Sequence, residues 1–170
     1  IFVLNRYVQA AYFPVILFLN TIPILALAPV IVLIFGLGVL PKIIIAAVIC
    51  FFPTLVNMIR GLESPSSNEL ELFRVLSASR LETMWKLRLP RAMPFLFASL
   101  RISSATAVIG AVVGEWIGSD RGLGAMIIQA TFNYQSGRLY AAIVLCSLLA
   151  IVLFLIVVLV EKVVLRYEHH

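Results

Sequence analysis

Charge is what this sequence has least of. Only 12% of its 170 residues are Asp, Glu, Lys or Arg, about half the ~25% of a soluble domain. Apolar residues make up 62%. No charge occurs in residues 7–41, 43–59 or 139–160. Runs of this length approach or exceed the ~20 residues that cross ~30 Å of hydrocarbon. They recur as far as Glu161, so a single removable leader does not explain them. A soluble domain is excluded, and the fold class is an all-α polytopic membrane protein.

Other scarcities narrow the chemistry. The two histidines, His169 and His170, are terminal, so no Ser-His-Asp order exists, and no carboxylate pair stands out. An intramembrane hydrolase therefore has little to support it and stands third among the readings. Cys50 and Cys146 each lie inside an apolar run and read as small buried hydrophobes, not a disulfide or a metal pair. Residues 36–42, GLGVLPK, lack the second Gly before the Lys and the Ser or Thr after it, so no phosphate-cradling loop is present. The chain reads as non-enzymatic and without a cofactor of its own. The net charge of +5 does not indicate nucleic acid, because seven of the thirteen basic residues fall between Arg60 and Arg101. That is the pattern of a cytoplasmic loop between membrane spans.

The long N-terminal run is too long for one crossing at 1.5 Å per residue, and it contains Pro14, Pro23 and Pro29, which break or kink helices. We divide it at Asn20-Thr21, with Thr21 capping a new helix and Pro23 in its first turn. Residues 8–19 are then an incoming helix or the end of an earlier span. Spans are expected at about 22–37, 42–60, 95–118 and 139–161, within a single domain covering 1–170. Gly36 and Gly38 end the first, and Pro53 kinks the second. The chain begins at Ile1 inside an apolar segment, so further spans are expected upstream. The basic residues place the 61–94 loop in the cytoplasm and the 119–138 loop outside, where GLGAMIIQATF is expected as a short interfacial or re-entrant helix. Lys42 then falls on the outer side, against the trend.

The 61–94 loop is the only long charged segment. Ser66-x-x-Glu69 and Ser79-x-x-Glu82 both have capping-box spacing, which predicts short helices over 68–77 and 80–87. Leu72, Phe73 and Leu76 share one face of the first. Such a face either folds back on the chain's own spans or docks on a soluble partner, and the pattern alone leaves both open.

Glu71-Leu72-Phe73, then Ser77, then Leu87-Arg88-Leu89-Pro90 resembles the EAA motif of ABC importer permeases, without a gap in spacing. LNTIPILALAPVIVLIFGLG before it, LPRAMPFLFASLRI after it and GAVVGEWIGSDRGLG further on are similar to the nitrate, sulfonate and taurine branch of that family. The last stretch is most like permeases for thiamine-pyrimidine precursors or riboflavin.

The resemblance implies an ABC permease helical bundle that works as a homodimer with a second copy. Its partners would be two ATPase subunits, which bind the ATP and Mg, and an extracytoplasmic substrate-binding protein. It implies coupling helices over 69–88 seated in a cleft of the ATPase, with Glu71 as polar anchor and Leu72, Phe73 and Leu76 as the buried contact. Ser77, Leu87, Leu89 and Pro90 complete the motif. Two departures stand out: the paired alanines are Leu72 and Phe73, and the glycine is Ser77. A serine forced to φ > 0 costs roughly 1 kcal/mol, so either that strain is present or the turn differs. The rival reading is a membrane-embedded scaffold whose polar stretch packs on itself.

In the third span, Gly110, Gly114 and Gly118 repeat every four residues, a stripe suited to close helix packing or to lining a translocation path. Glu115 faces such a path or sits at the interface. Arg101 is expected to snorkel to the cytoplasmic surface. Trp116 fits an outer aromatic belt, and Trp85 and Tyr167 an inner one. Phe132, Asn133 and Tyr134 are candidates for meeting a binding protein.

Overall fold

The computed structural model describes Pro14, Phe18 and residues 21–166. The expected incoming helix at 8–19 lies largely outside the described residues, as do Tyr167 and the terminal histidines. All regular structure among the described residues is helical: α1 Ile24–Phe35, α2 Val39–Glu63, α3 Ser67–Val75, α4 Arg80–Thr83, a π-helical turn Met84–Arg88, α5 Leu89–Trp116, α6 Leu123–Phe132 and α7 Ser136–Arg166.

Among the described residues three helices are long and apolar enough to cross a membrane: Val39–Glu63, Ser136–Leu165 and the continuous run Arg80–Trp116, 37 residues long. α1 is 12 residues, about 18 Å at 1.5 Å per residue and shorter than the hydrocarbon core. Its N-cap is Pro23, without a side-chain cap, and the Thr21 hydroxyl donates backwards to the Phe18 carbonyl instead of capping forwards. Gly36 ends it at φ 76 and Gly38 follows at φ 139, values that glycine reaches without steric cost.

The 80–87 helix expected as a separate element is instead the first two turns of the α5 rod. The reason lies in the prolines. Pro90 has no N–H, and its ring collides with the carbonyl four residues back in a regular α-turn. Here the preceding turn widens, and the Leu89 N–H donates five residues back to the Met84 carbonyl. The chain thus enters Pro90 without breaking, and Pro94 is carried inside the helix.

α5 is the centre of the bundle. Its longest contact is with α2, where glycines bring the backbones together. A Cβ on Gly61 would lie 2.9 Å from the Ala92 Cα, one on Gly110 2.7 Å from the Ala46 Cα, and one on Gly114 3.0 Å from the Lys42 Cα. Each is closer than Cβ contacts ordinarily come, so only glycine fits. Small polar side chains fill the same interface: the Thr54 hydroxyl lies 3.3 Å from that of Ser103, and the Cys50 thiol 3.5 Å from the Ser103 carbonyl and the Thr106 hydroxyl. Between helices in lipid such contacts hold partners that apolar side chains alone do not select.

On its other side α5 meets α6 and α7. Of the three long helices α7 is the least covered, and none of its most apolar 18 residues is buried.

Candidate functional site

The loop between α2 and α5 is built locally and then fastened to the bundle. Both capping boxes form. The Ser66 N–H donates to Glu69 Oε2 at 2.8 Å and the Glu69 N–H donates back to Ser66 Oγ at 3.3 Å. Ser79 and Glu82 repeat this at 2.9 and 3.2 Å. These bonds hold both carboxyls below the usual glutamate pKa, the Ser66 and Ser79 backbone N–H groups being the largest cause. For Glu69 the Arg91 guanidinium adds to the effect.

α3 ends in a Schellman turn. The Ser77 N–H donates to the Arg74 carbonyl and the Ala78 N–H to that of Phe73, both at 2.9 Å, the paired bonds that close a helix through a left-handed residue. That residue is Ser77, at φ 54. The turn expected of the motif's glycine is therefore kept, and the serine carries the strain.

Three contacts brace this loop. Arg91 near the start of α5 forms an ion pair with Glu69 in the first turn of α3. The half-buried Arg88 donates from Nη1 to the Leu62 carbonyl at 2.8 Å, supplying a cation and a donor at the C-terminal end of α2, where carbonyls lack partners. Gly61 lets α2 lie directly on Ala92. The segment is thus tied to both long helices that flank it.

The motif residues separate into two groups. Glu71, Leu72 and Leu76 point away from the bundle, with Leu72 56% and Leu76 67% exposed, and Val75 joins them at 76%. Phe73 is half-buried, Leu87 is buried, and Leu89 and Pro90 are half-buried. So 71–76 presents an uncovered apolar ridge, while 87–90 forms the root from which it is held. Leu81 and Trp85, also exposed, lie one turn apart on the rod beside it.

Gly110, Gly114 and Glu115 are at the other end of α5, roughly 30–37 Å from Pro90 at 1.5 Å per residue, and Gly118 lies just beyond its last residue, Trp116. Gly110 and Gly114 are packed on α2, and a Cβ on Gly118 would lie 2.5 Å from Leu37 Cδ2. Glu115 closes the N-terminus of α6: its Oε2 accepts the Gly124 N–H at 2.7 Å, and its carboxyl group lies 2.2 Å from where a Cβ on Gly122 would be. Opposite it, Lys42 donates to the Ser119 hydroxyl at 2.7 Å, and Ser119 donates to the Arg121 carbonyl. Residues 117–124 are therefore fastened from α2 and from α5 at once, and Lys42, which fitted poorly by charge, has a defined partner.

Sequence reasoning missed the braces. Arg88, Arg91 and Gly61 belong to no spacing rule, because their partners lie in a different helix. It also missed that Arg101 pairs with Glu161 of α7, Nε to Oε2 at 3.4 Å. A usable signal existed there: Arg101 is the only charge between residues 92 and 114, and Glu161 is the first after residues 139–160. Among the described residues no group of three or more His, Cys, Asp or Glu side chains could hold a metal.

Residues 2–166 match the family described as "Binding-protein-dependent transport system inner membrane component". A formylaminopyrimidine transport permease protein, ThiX, of Halalkalibacterium halodurans is 35% identical over 164 residues, covering 96% of this chain and 66% of the relative. A riboflavin transport system permease protein, RibX, of Chloroflexus aurantiacus is 32% identical over 163 residues, covering 96% and 61%. A probable ABC transporter permease protein of Haemophilus influenzae is 35% identical over 150 residues, covering 88% and 61%. The chain thus spans between 61% and 66% of the length of these relatives. With a family match over almost its whole length and three helices able to cross a bilayer, the chain belongs to the binding-protein-dependent transport system inner membrane components and is a multi-pass protein of the cytoplasmic (inner) membrane.

Proposed function

We propose that this chain is the permease part of an ATP-driven ABC importer for a small solute, with residues 67–88 as the segment that engages a cytoplasmic ATPase. The observation that carries the reading is the uncovered ridge of Leu72, Val75 and Leu76 on a helix tied to α5 at Glu69–Arg91, in a segment tied to α2 at Arg88–Leu62. An apolar ridge held rigidly into water serves docking: burying it stabilises a complex, and the braces pass a push on it to α2 and α5. On this reading Glu71 is the polar anchor at the edge of the ridge, and Leu87, Leu89 and Pro90 root it.

The assembly is a pair of permease chains with two ATPases and an extracytoplasmic binding protein. ATP and Mg belong to the ATPases, and this chain catalyses no reaction of its own. Relatives named for formylaminopyrimidine and riboflavin support a small nitrogen heterocycle as the solute, ahead of the aliphatic sulfonates and taurine named for others.

The test is mild detergent purification of the full-length protein together with its co-encoded ATPase, followed by uptake in proteoliposomes. Stoichiometric ATPase that is lost on Leu76→Asp supports the reading. A chain that comes out alone under conditions preserving other importers overturns it in favour of a membrane scaffold.

A further inference from the structure

The α5–α7 contact leaves a cavity between the two helices. Ala107, Val108, Ala111 and Val112 of α5 face Cys146, Leu149 and Leu153 of α7 across a cavity of about 210 Å³. Apolar side chains gain little from one another over what they gain from lipid, so a directional contact adds selectivity to this packing. A directional contact lies nearer the cytoplasmic loop, where Arg101 Nε meets Glu161 Oε2 at 3.4 Å. Glu161 keeps only 16% of its side chain exposed and Arg101 38%. Ionisable groups at this depth pair with one another, and a partner removed leaves a charge that is costly to hold.

The position of the pair matters as much as its strength. The continuous rod that ends in α5 begins at Arg80, so Arg101 shares an axis with residues 80–88, about 20–30 Å away at 1.5 Å per residue. α6 and α7 meet as well, and α6 is fastened to α5 through Glu115 at the opposite end. The α5–α7 relation is therefore set at one end by α6 and at the other by Arg101–Glu161.

We infer that Arg101 and Glu161 form a positioning pair that makes α7 follow α5 when the cytoplasmic segment is displaced. The inference rests on the importer reading for what causes the displacement. Its own content is that the pair transmits motion and does not merely add stability.

The experiment uses the full-length protein with its ATPase and binding protein in proteoliposomes, comparing Arg101→Ala, Glu161→Ala and the exchange Arg101→Glu with Glu161→Arg. The expected result is wild-type association and hydrolysis within twofold for both single variants, with uptake per ATP hydrolysed reduced at least fivefold. The exchange restores that ratio to within twofold of wild type. A purely structural contact would lower hydrolysis and uptake together, and that outcome overturns the inference, as does an unchanged ratio.

A second measurement stands apart from the importer reading: thermal unfolding of the same variants in detergent, treated as a double-mutant cycle. Non-additive single effects with recovery on exchange show a coupled pair. Additive effects remove the pair whatever partner the chain has. Failure of the ATPase to bind even the wild-type chain would sink the importer reading and the transmission with it, while the cycle would still report the contact.

Discussion

The bundle carries a short helix at each end, and the two are built in opposite ways. α3 is capped by its own neighbours, Ser66 and Glu69, and stands out with Leu72, Val75 and Leu76 uncovered. α6 is capped from another helix by Glu115 and is seated on the bundle through Gly124, Ala125 and Ala130, all buried. Yet both end in the same turn, with a non-glycine residue at φ 54: Ser77 after α3 and Tyr134 after α6. A helix that must keep its shape while presenting a face needs local caps. A helix whose shape comes from packing takes its cap from what it packs on.

The largest expected effect tests whether the α3 ridge is there to be covered. Leu72→Asp or Leu76→Asp should leave the isolated protein folded, because exposed positions of this kind usually change stability by no more than about 0.5 kcal/mol. Uptake and ATPase association should each fall at least tenfold. Wild-type uptake in either variant would mean that the ridge is not a docking face and that α3 and α6 do not differ in purpose.

The next effect belongs to α6. A Cβ on Gly124 would lie 2.6 Å from the Val112 carbonyl oxygen and 2.9 Å from Glu115 Cβ. Overpacking at such a site costs about 1–3 kcal/mol. Gly124→Val should therefore lower the detergent unfolding midpoint clearly, whereas Gly137→Val, with nothing near its Cβ position, should not. Equal midpoints would show that α6 is not seated as described.

How much was legible follows from the same contrast. The α3 caps could be read because both partners fall within four residues, and the three long helices because lack of charge over span length is itself the signal. Ser77 could be read as a strained turn once the motif placed a glycine there. Glu115 could be singled out as a charge but not assigned, since its partner Gly124 becomes a neighbour only when α6 folds back on α5. Arg88, Arg91 and Arg101 all looked like members of one cytoplasmic basic cluster, but in the fold each has a separate partner on a different element. The sequence ends the loop at Pro94 because charge continues to Arg91, whereas the helix is already under way before Pro90. A single widened turn absorbs Pro90, and the periodicity of a sequence does not display that.

A smaller effect separates the two strained turns from their surroundings. Holding an L-residue in the left-handed region costs about 1–2 kcal/mol, which glycine avoids. Ser77→Gly should therefore stabilise the end of α3 by about 1 kcal/mol, read as slower hydrogen exchange around residues 73–78. Tyr134→Gly should do the same for α6, and its side chain, 93% exposed, is used by a partner if uptake falls while stability rises. Faster exchange in the Ser77 variant would mean that the turn is held by the serine side chain and not merely tolerated.

The smallest effect is acid dependence confined to α3 and the start of the α5 rod. Glu69 and Glu82 are held below the ordinary glutamate pKa, chiefly by the backbone N–H groups of Ser66 and Ser79. A carboxyl lowered on folding contributes its full share above its unfolded pKa of about 4.3. That share is lost as pH falls through the lower folded value. Protection of residues 66–88 in the full-length protein should accordingly be flat from pH 7 to about 5 and fall below about 4.3. Glu69→Gln removes the charge, so near α3 its protection should start lower at neutral pH and change less on acidification. The same scan over residues 43–59 of α2, which contain no acidic or basic side chain, should stay level throughout. A parallel loss in both regions would mean that acid loosens the whole bundle, and the local caps of α3 would then not be what keeps its ridge in shape.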